Sequence, residues 1–233
     1  MAQSDQLDRY LNRARYFAAE VREKHPTVWD VAGHAIAKSK EVMDLAHASG
    51  AAVDPGQFRV RLGLWGSVRG YQINSLLEVF SRNLDEGLAI LRMATELART
   101  LKALTTDPAL YATWTKNQRS PEFKAAARFD KNDPAEKAAY TAYEFSTKWG
   151  AHGHKTSAAF LENTFMGAEP NLEGVARITS MWFISFAPIH RLCLRWCLGT
   201  DVSAYSECDL ALTLLEAKLL ECVRNDGFFA AAI

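Results

Sequence analysis

An excess of charge of either sign, cysteines in a disulfide spacing and long apolar runs are all missing from this sequence. Its 27 Lys+Arg are matched by 27 Asp+Glu. The overall balance therefore predicts no nucleic acid, anionic membrane or acidic partner, and any such site must be a local patch. The four cysteines, Cys193, Cys197, Cys208 and Cys222, lie in the last fifth of the chain, without the tight loop spacing of a zinc knuckle or a disulfide framework. Cys193 and Cys197 share a helical face, so a four-thiolate metal site is one reading, and four small apolar residues packed between helices is the commoner one. The most lipid-like run, Met181 to Ile189, is too short to cross a bilayer and is followed by His190, Arg191 and Arg195. The opening Met1-Ala2-Gln3-Ser4-Asp5 leads into a charged amphipathic stretch with no apolar signal core, so a cytoplasmic, non-membrane protein is expected. Also missing are a Gly-Lys-Ser/Thr phosphate loop, a dinucleotide fingerprint, a Gly-x-Ser-x-Gly elbow and a His-Glu-x-x-His helix. No cofactor is expected.

What is present is helical periodicity. A hydrophobic content of 48% is ample for a core. Apolar residues recur at three and four from Asp5 to Lys24, where His25-Pro26 ends a first helix, and again from Thr27, read as an N-cap, to about Ala46. Between Tyr71 and Pro108 no proline interrupts the pattern, which predicts one long helix. Before it, Val53 to Gly70 carries Pro55-Gly56, Gly63, Gly66 and Gly70 and reads as a structured loop, or a short strand. Asp107-Pro108, Ser120-Pro121 and Asp133-Pro134 each place a capping side chain before a proline at the first helical position, and Glu136 completes a capping box. Gly150 and Gly153 break the third of these helices around His152 and His154, with a short helix resuming at Thr156 to Asn163. Two final helices, Leu172 to Leu198 with Pro188 inside and Val202 to Asn225, meet at Gly199, and the apolar tail from Gly227 should dock. The fold class expected is all-α, a single domain over 1–233 of about seven to nine helices around one long central helix (71–104). Within it, 1–50 forms an N-terminal hairpin, 71–165 a central part and 170–226 a C-terminal helical pair.

Several residues carry candidate chemistry. On the long helix, Phe80, Leu84, Leu91 and Ala98 define the buried stripe, Ile90, Leu97 and Val79 make a second apolar flank, and Glu86 falls at the edge of that flank, where a neighbouring helix should partly cover it. Arg92 and Glu96 lie on the opposite flank as an i, i+4 pair, solvated if that flank is wet and a desolvated clamp or site if it is covered. His152 reads as a cap of its helix, as a member of a polar network with Arg92, Glu96 and Ser146, or, with His154, as a metal ligand. Arg59, Arg61 and Arg69, interleaved with Phe58, Trp65 and Tyr71, would suit single-stranded nucleic acid, where bases stack on rings and arginines meet phosphates. Met181, Trp182, Phe183, Phe186 and Trp196 form an aromatic stripe best read as core.

Arg92-Met93-Ala94-Thr95-Glu96, followed by apolar helix to Asp107-Pro108 and then by Tyr140-x-x-Tyr143-x-x-Ser146…His152, resembles the Arg-x-x-x-Glu…Pro and Tyr…Ser…His patterns of a set of bacterial helical proteins. Those proteins are related to HEPN (higher eukaryotes and prokaryotes nucleotide-binding) domains and to abortive-infection proteins. The similarity covers about Leu76 to Thr156. It implies a helical binding or regulatory module for RNA, a nucleotide or a protein partner in bacterial stress or phage defence, with a homodimer possible and with Arg92, Glu96, Ser146 and His152 at its site. The chain departs from the active nucleases of that group, whose Arg precedes a His by four to six residues; no pair here has that spacing, and Lys148 lacks the bidentate fork. The alternatives are a hydrolase or nuclease using His152 with Arg92 and Glu96, and a purely structural helical partner protein.

Overall fold

The computed structural model describes residues 16–50, 55–81, 83–107, 109–111, 120–150, 172–200 and 203–232. The regular elements among these residues are all helical. They are α1 at 16–24, α2 (Pro26–Ser49), α3 (Pro55–Phe80), α4 (Leu84–Thr106), α5 (Pro121–Ala126), α6 (Pro134–Gly150), α7 (Leu172–Leu198), α8 (Ser203–Asn225) and a closing 3-10 helix, Gly227–Ala232. The all-α expectation holds, and no helix among the described residues is long and apolar enough to cross a membrane.

Prolines open α2, α5 and α6, where their missing N–H is no loss. Ser120 Oγ accepts the Phe123 amide at 3.1 Å, and Asp133 Oδ1 accepts the amides of Ala135 and Glu136, each at 3.0 Å. Helix α2 starts two residues earlier than read, with His25 rather than Thr27 as its N-cap and no side-chain bond there. Gly199, at φ +73°, closes α7 in the left-handed conformation that glycine adopts without strain, and its amide reaches the Arg195 carbonyl at 3.0 Å.

The long helix over 71–104 is corrected. Helix α3 ends at Phe80 and α4 begins at Leu84, and the two pack against each other as an antiparallel hairpin. The stretch read as a loop or short strand, from residue 55 to Gly70, is the first half of α3. Its buried residues Phe58, Trp65, Val68, Gln72, Ser75, Leu76 and Val79 keep helical spacing, and this outweighs the glycines between them. The buried stripe Phe80, Leu84, Leu91 and Ala98 survives, divided between the two helices. Glu86 is exposed, not covered: it lies in the first turn of α4, where a carboxylate is favoured by the helix dipole and faces water.

The central element is α7 instead. Nineteen of its 27 residues are buried, and it packs on α2, α3, α4, α6, α8 and the 3-10 helix. Trp182, Phe183 and Phe186 are fully enclosed, with Trp182 stacked on Phe186 at 4.3 Å between ring centroids and Phe183 against Phe229 at 5.5 Å. Phe228 and Phe229 are buried, so the apolar tail docks as expected.

The α3–α4 hairpin is tight at one point. A Cβ on Gly87 would stand 2.5 Å from Val79 Cγ2 and 3.1 Å from the Ser75 carbonyl oxygen, and Ser75 Oγ donates to the Gly87 carbonyl at 2.6 Å. Val79 is β-branched and has little freedom to move away. Gly87→Ala should therefore destabilise the protein by about 1–3 kcal/mol through overpacking. Gly63, with nothing within 4 Å of its would-be Cβ, should behave oppositely: Gly63→Ala should stabilise by about 0.5–1 kcal/mol through helix propensity. Urea denaturation of the two variants measures both signs, and a destabilising Gly63→Ala would contradict the helical assignment of this stretch.

Candidate functional site

Arg92 and Glu96 face outward from α4. Arg92 Nε lies 2.9 Å from Glu96 Oε1, with the side chains 33% and 45% exposed. This is a screened surface pair rather than a desolvated clamp. Ser146 is fully buried on α6, and its hydroxyl donates to the Tyr143 carbonyl at 3.1 Å, within its own helix. The geometry thus joins Arg92 to Glu96 and does not bring the Ser146 hydroxyl into that pair. His152 and His154 lie outside the described residues, and among those described no group of His, Cys, Asp and Glu is arranged to hold a metal.

The arginine and tryptophan set on α3 is dispersed. Arg59 is exposed, and Arg61 Nη2 donates to Gln57 Oε1 at 3.0 Å one turn back. Arg69 is tied to α2, donating to Ser39 Oγ and to the Ile36 carbonyl, both at 2.9 Å. Burial lowers its pKa, and Asp44 opposes that shift. Trp65 is enclosed, with its indole N–H spent on His190 Nδ1 at 2.7 Å, so it offers no face to a base. The four cysteines are free and buried, and burial raises the pKa of each, Cys222 to about 11. They are protonated thiols packed as apolar residues.

His190 is a core histidine. Because Nδ1 accepts from Trp65, the neutral ring carries its proton on Nε2, which has no partner among the described residues. Burial, with a smaller push from the Arg69 charge, lowers its pKa to about 3. Protonation would cost the Trp65 bond.

Two arrangements were not read from the sequence. The first is an ion-pair cluster around Glu136, itself only 5% exposed. Glu136 pairs with Lys102 of α4 and Arg195 of α7, and it accepts the Asp130 amide at 2.6 Å, three residues before the N-cap to which a capping box would return it. Arg195 also holds Asp133 at 2.8 Å. Burial works to raise the Asp133 pKa but is outweighed by the amides of Glu136 and Ala135 and by Arg195, which leave it below the usual carboxylate range. One turn back on α7, Arg191 holds Asp209 at 2.9 Å and Glu216 at 3.2 Å on α8.

The second is an open cleft of about 450 Å³ between α4, α5, the turn after α5 and α6. Arg99, Lys124 and Arg128 line it, with Phe123 and Tyr143 as its aromatic residues and Glu96 as its one acid. Glu96 is already engaged by Arg92, whereas Arg99, Lys124 and Arg128 have no carboxylate partner among the described residues. The Arg99 guanidinium sits 5.0 Å from the Tyr143 ring centre, and its Nε donates to the Ala127 carbonyl at 3.1 Å, so the charge is held in place before any ligand arrives. Arg92 approaches the same ring at 6.0 Å. The sequence carried a partial signal, since Arg92 and Arg99 are two turns apart on one face and Lys124 and Arg128 are four residues apart. What it lacked was the packing that puts the two pairs together. No family model matches the chain, and no curated protein or solved structure matches it.

The pKa directions set an acid response. His190 is depressed from 6.5 to about 3, so the unfolded chain binds a proton that the folded chain refuses, and stability falls as pH drops from about 6.5 toward 3. Asp133, also depressed, adds its loss below the ordinary aspartate range. Denaturation midpoints between pH 7.5 and 4.5 should decline with a slope approaching one proton, about 1.4 kcal/mol per pH unit, and a flat profile would contradict the buried neutral His190. Asp133→Asn, which keeps a capping oxygen and removes the charge, should cost about 1 kcal/mol at pH 7 and reduce the further loss below pH 4.

Proposed function

We propose that this chain is a helical binding module of HEPN-like type, cytoplasmic and non-catalytic, that takes a phosphate-bearing ligand, a nucleotide or RNA, in bacterial stress or defence. One observation carries the reading: three cations without carboxylate partners line one cleft, and one of them is fixed against an aromatic ring. The cleft's volume is in the range of small-ligand sites. Arg99 and Arg128 offer planar forks suited to phosphate oxygens, and Lys124 adds a mobile point charge. Because the chain has no net charge, the attraction is local, as a site rather than a nonspecific polyanion surface would need. The hydrolase alternative receives less support, since the Ser146 hydroxyl turns to its own helix and the Arg92–Glu96 pair is wet.

Calorimetric titration of the full chain with ADP, ATP and a single-stranded RNA oligomer tests this. At least one should bind saturably, with affinity falling as salt is raised. Arg99→Gln should weaken that binding about tenfold, roughly 1.4 kcal/mol, and Lys124→Gln with Arg128→Gln should weaken it further. The reading fails if none of the three binds, or if binding is indifferent to these substitutions.

A further inference from the structure

Helix α8 packs on α2 and α7 with one side and leaves the other to solvent. Its exposed residues include Ser203, Glu207, Leu210, Leu214, Ala217, Lys218 and Glu221. At about 100° per residue they form one stripe, with Leu210 and Leu214 at its centre and Glu207 and Lys218 together along the same edge. The two leucines are 60% and 63% exposed, one turn apart, on a helix whose inner face already buries Cys208, Leu212, Leu215, Leu219 and Cys222. Single exposed leucines need no explanation; a pair flanked by charges of opposite sign is a pattern an interface can use.

Glu207 and Lys218 are about 16 Å apart along the axis at 1.5 Å per residue, too far to pair with each other. Neither has an ion-pair partner among the described residues, and Lys218 acts on His34 of α2, whose pKa is lowered first by burial and then by that lysine. A twofold axis crossing the stripe at the level of Leu212 changes this. It lays a second α8 antiparallel to the first and keeps each flank against the same flank of its mate. Leu210 then meets Leu214 of the second copy, and Leu214 meets Leu210. Glu207 comes beside Lys218 of the other copy, twice. Glu221 falls opposite Ser203 in the first turn of the facing helix, the end where a carboxylate is favoured. A parallel pairing would put the charged flanks of the two copies on opposite sides of the seam, with Glu207 and Lys218 at levels about 16 Å apart, and would pair neither, so the charge pattern selects the antiparallel one.

We propose that the exposed stripe of α8 is a homodimer interface, formed antiparallel about a twofold axis near Leu212. It is self-complementary, as twofold contacts must be. Resting on one helix per subunit, it belongs to the small, weaker class of interfaces.

Sedimentation velocity on the full chain over a concentration series tests it, with circular dichroism to verify that each variant is folded. The wild type should move from monomer to dimer as concentration rises toward a few hundred micromolar. Leu214→Glu should leave it monomeric throughout. Glu207→Lys alone and Lys218→Glu alone should each weaken dimerisation several-fold, and the double variant, with the charges exchanged, should recover it. A wild type that stays monomeric, as expected if the stripe is instead covered by an unrelated partner, overturns the proposal. So does a dimer indifferent to the single charge reversals, or a double variant that fails to recover.

Discussion

Enclosure of α7 on nearly every side is the constraint the rest of the fold answers to. A helix with so few positions in water must have apolar neighbours around its circumference, and it receives them from α2, α3, α4, α6, α8 and the closing 3-10 helix. Its large polar side chains need partners inside, because a buried polar group without one costs roughly 1–3 kcal/mol. Two indoles set how α3 lies against α7. Trp65 of α3 donates to His190, and Trp182 of α7 donates to the Gln72 carbonyl at 2.7 Å. With one bond in each direction, the two helices are fixed in register as well as in contact. The satisfaction is incomplete among the described residues, where the Gln72 amide and the Thr179 hydroxyl are buried without a partner.

Charge is sorted by the same geometry. Arg191 and Arg195 lie one turn apart on α7 and reach in different directions, the first to Asp209 and Glu216 on α8, the second to Asp133 and Glu136 at the start of α6. Four of the chain's acids are thereby held by the central helix. Lys102 completes the Glu136 group from α4. The two groups take four acids and three bases, so in a chain with equal numbers of each they leave one base in excess elsewhere, and the α4–α5–α6 cleft is one place where bases outnumber acids. Its cationic character is thus partly a consequence of how the core is clamped.

Much of this was legible, and the errors share a cause. Ser120-Pro121 and Asp133-Pro134 announced their helices because capping is local chemistry, carried by adjacent residues. Leu172 to Leu198 was read to the residue, with its aromatic stripe as core. The break between the end of α3 at Phe80 and the start of α4 at Leu84 was missed because the apolar stripe continues from one helix to the other without a change of phase, so periodicity alone saw one helix. The local signs were Asn83 followed by Asp85 and Glu86, a helix-start pattern, and Gly87, which makes sense only once another helix lies against it. Glycines misled in the other direction at positions 63, 66 and 70, where tertiary burial of Trp65, Val68 and Gln72 outweighs propensity. Of the candidate site, Arg92 and Glu96 were placed on the correct flank, but Lys124 comes from α5 and Arg128 from the turn after it, and no spacing within one segment could join them to Arg99.

The two outward-facing features lie on different helices, the cleft on α4, α5 and α6 and the leucine stripe on α8. Any influence of one on the other must pass through α7 or through the chain that packs on it. Arg191 and Arg195 are the evident mechanical link, since a shift of α8 that moved Asp209 would act on the helix that also grips Asp133 and Glu136. Yet coupling needs an element with two arrangements, not merely a connected path. Helix α7 is packed by interlocking aromatic rings and pinned to α3 by two indole bonds, conditions that favour a single position. Dimerisation through α8 should therefore leave ligand affinity at the cleft unchanged, and by reciprocity ligand should leave the dimer unchanged.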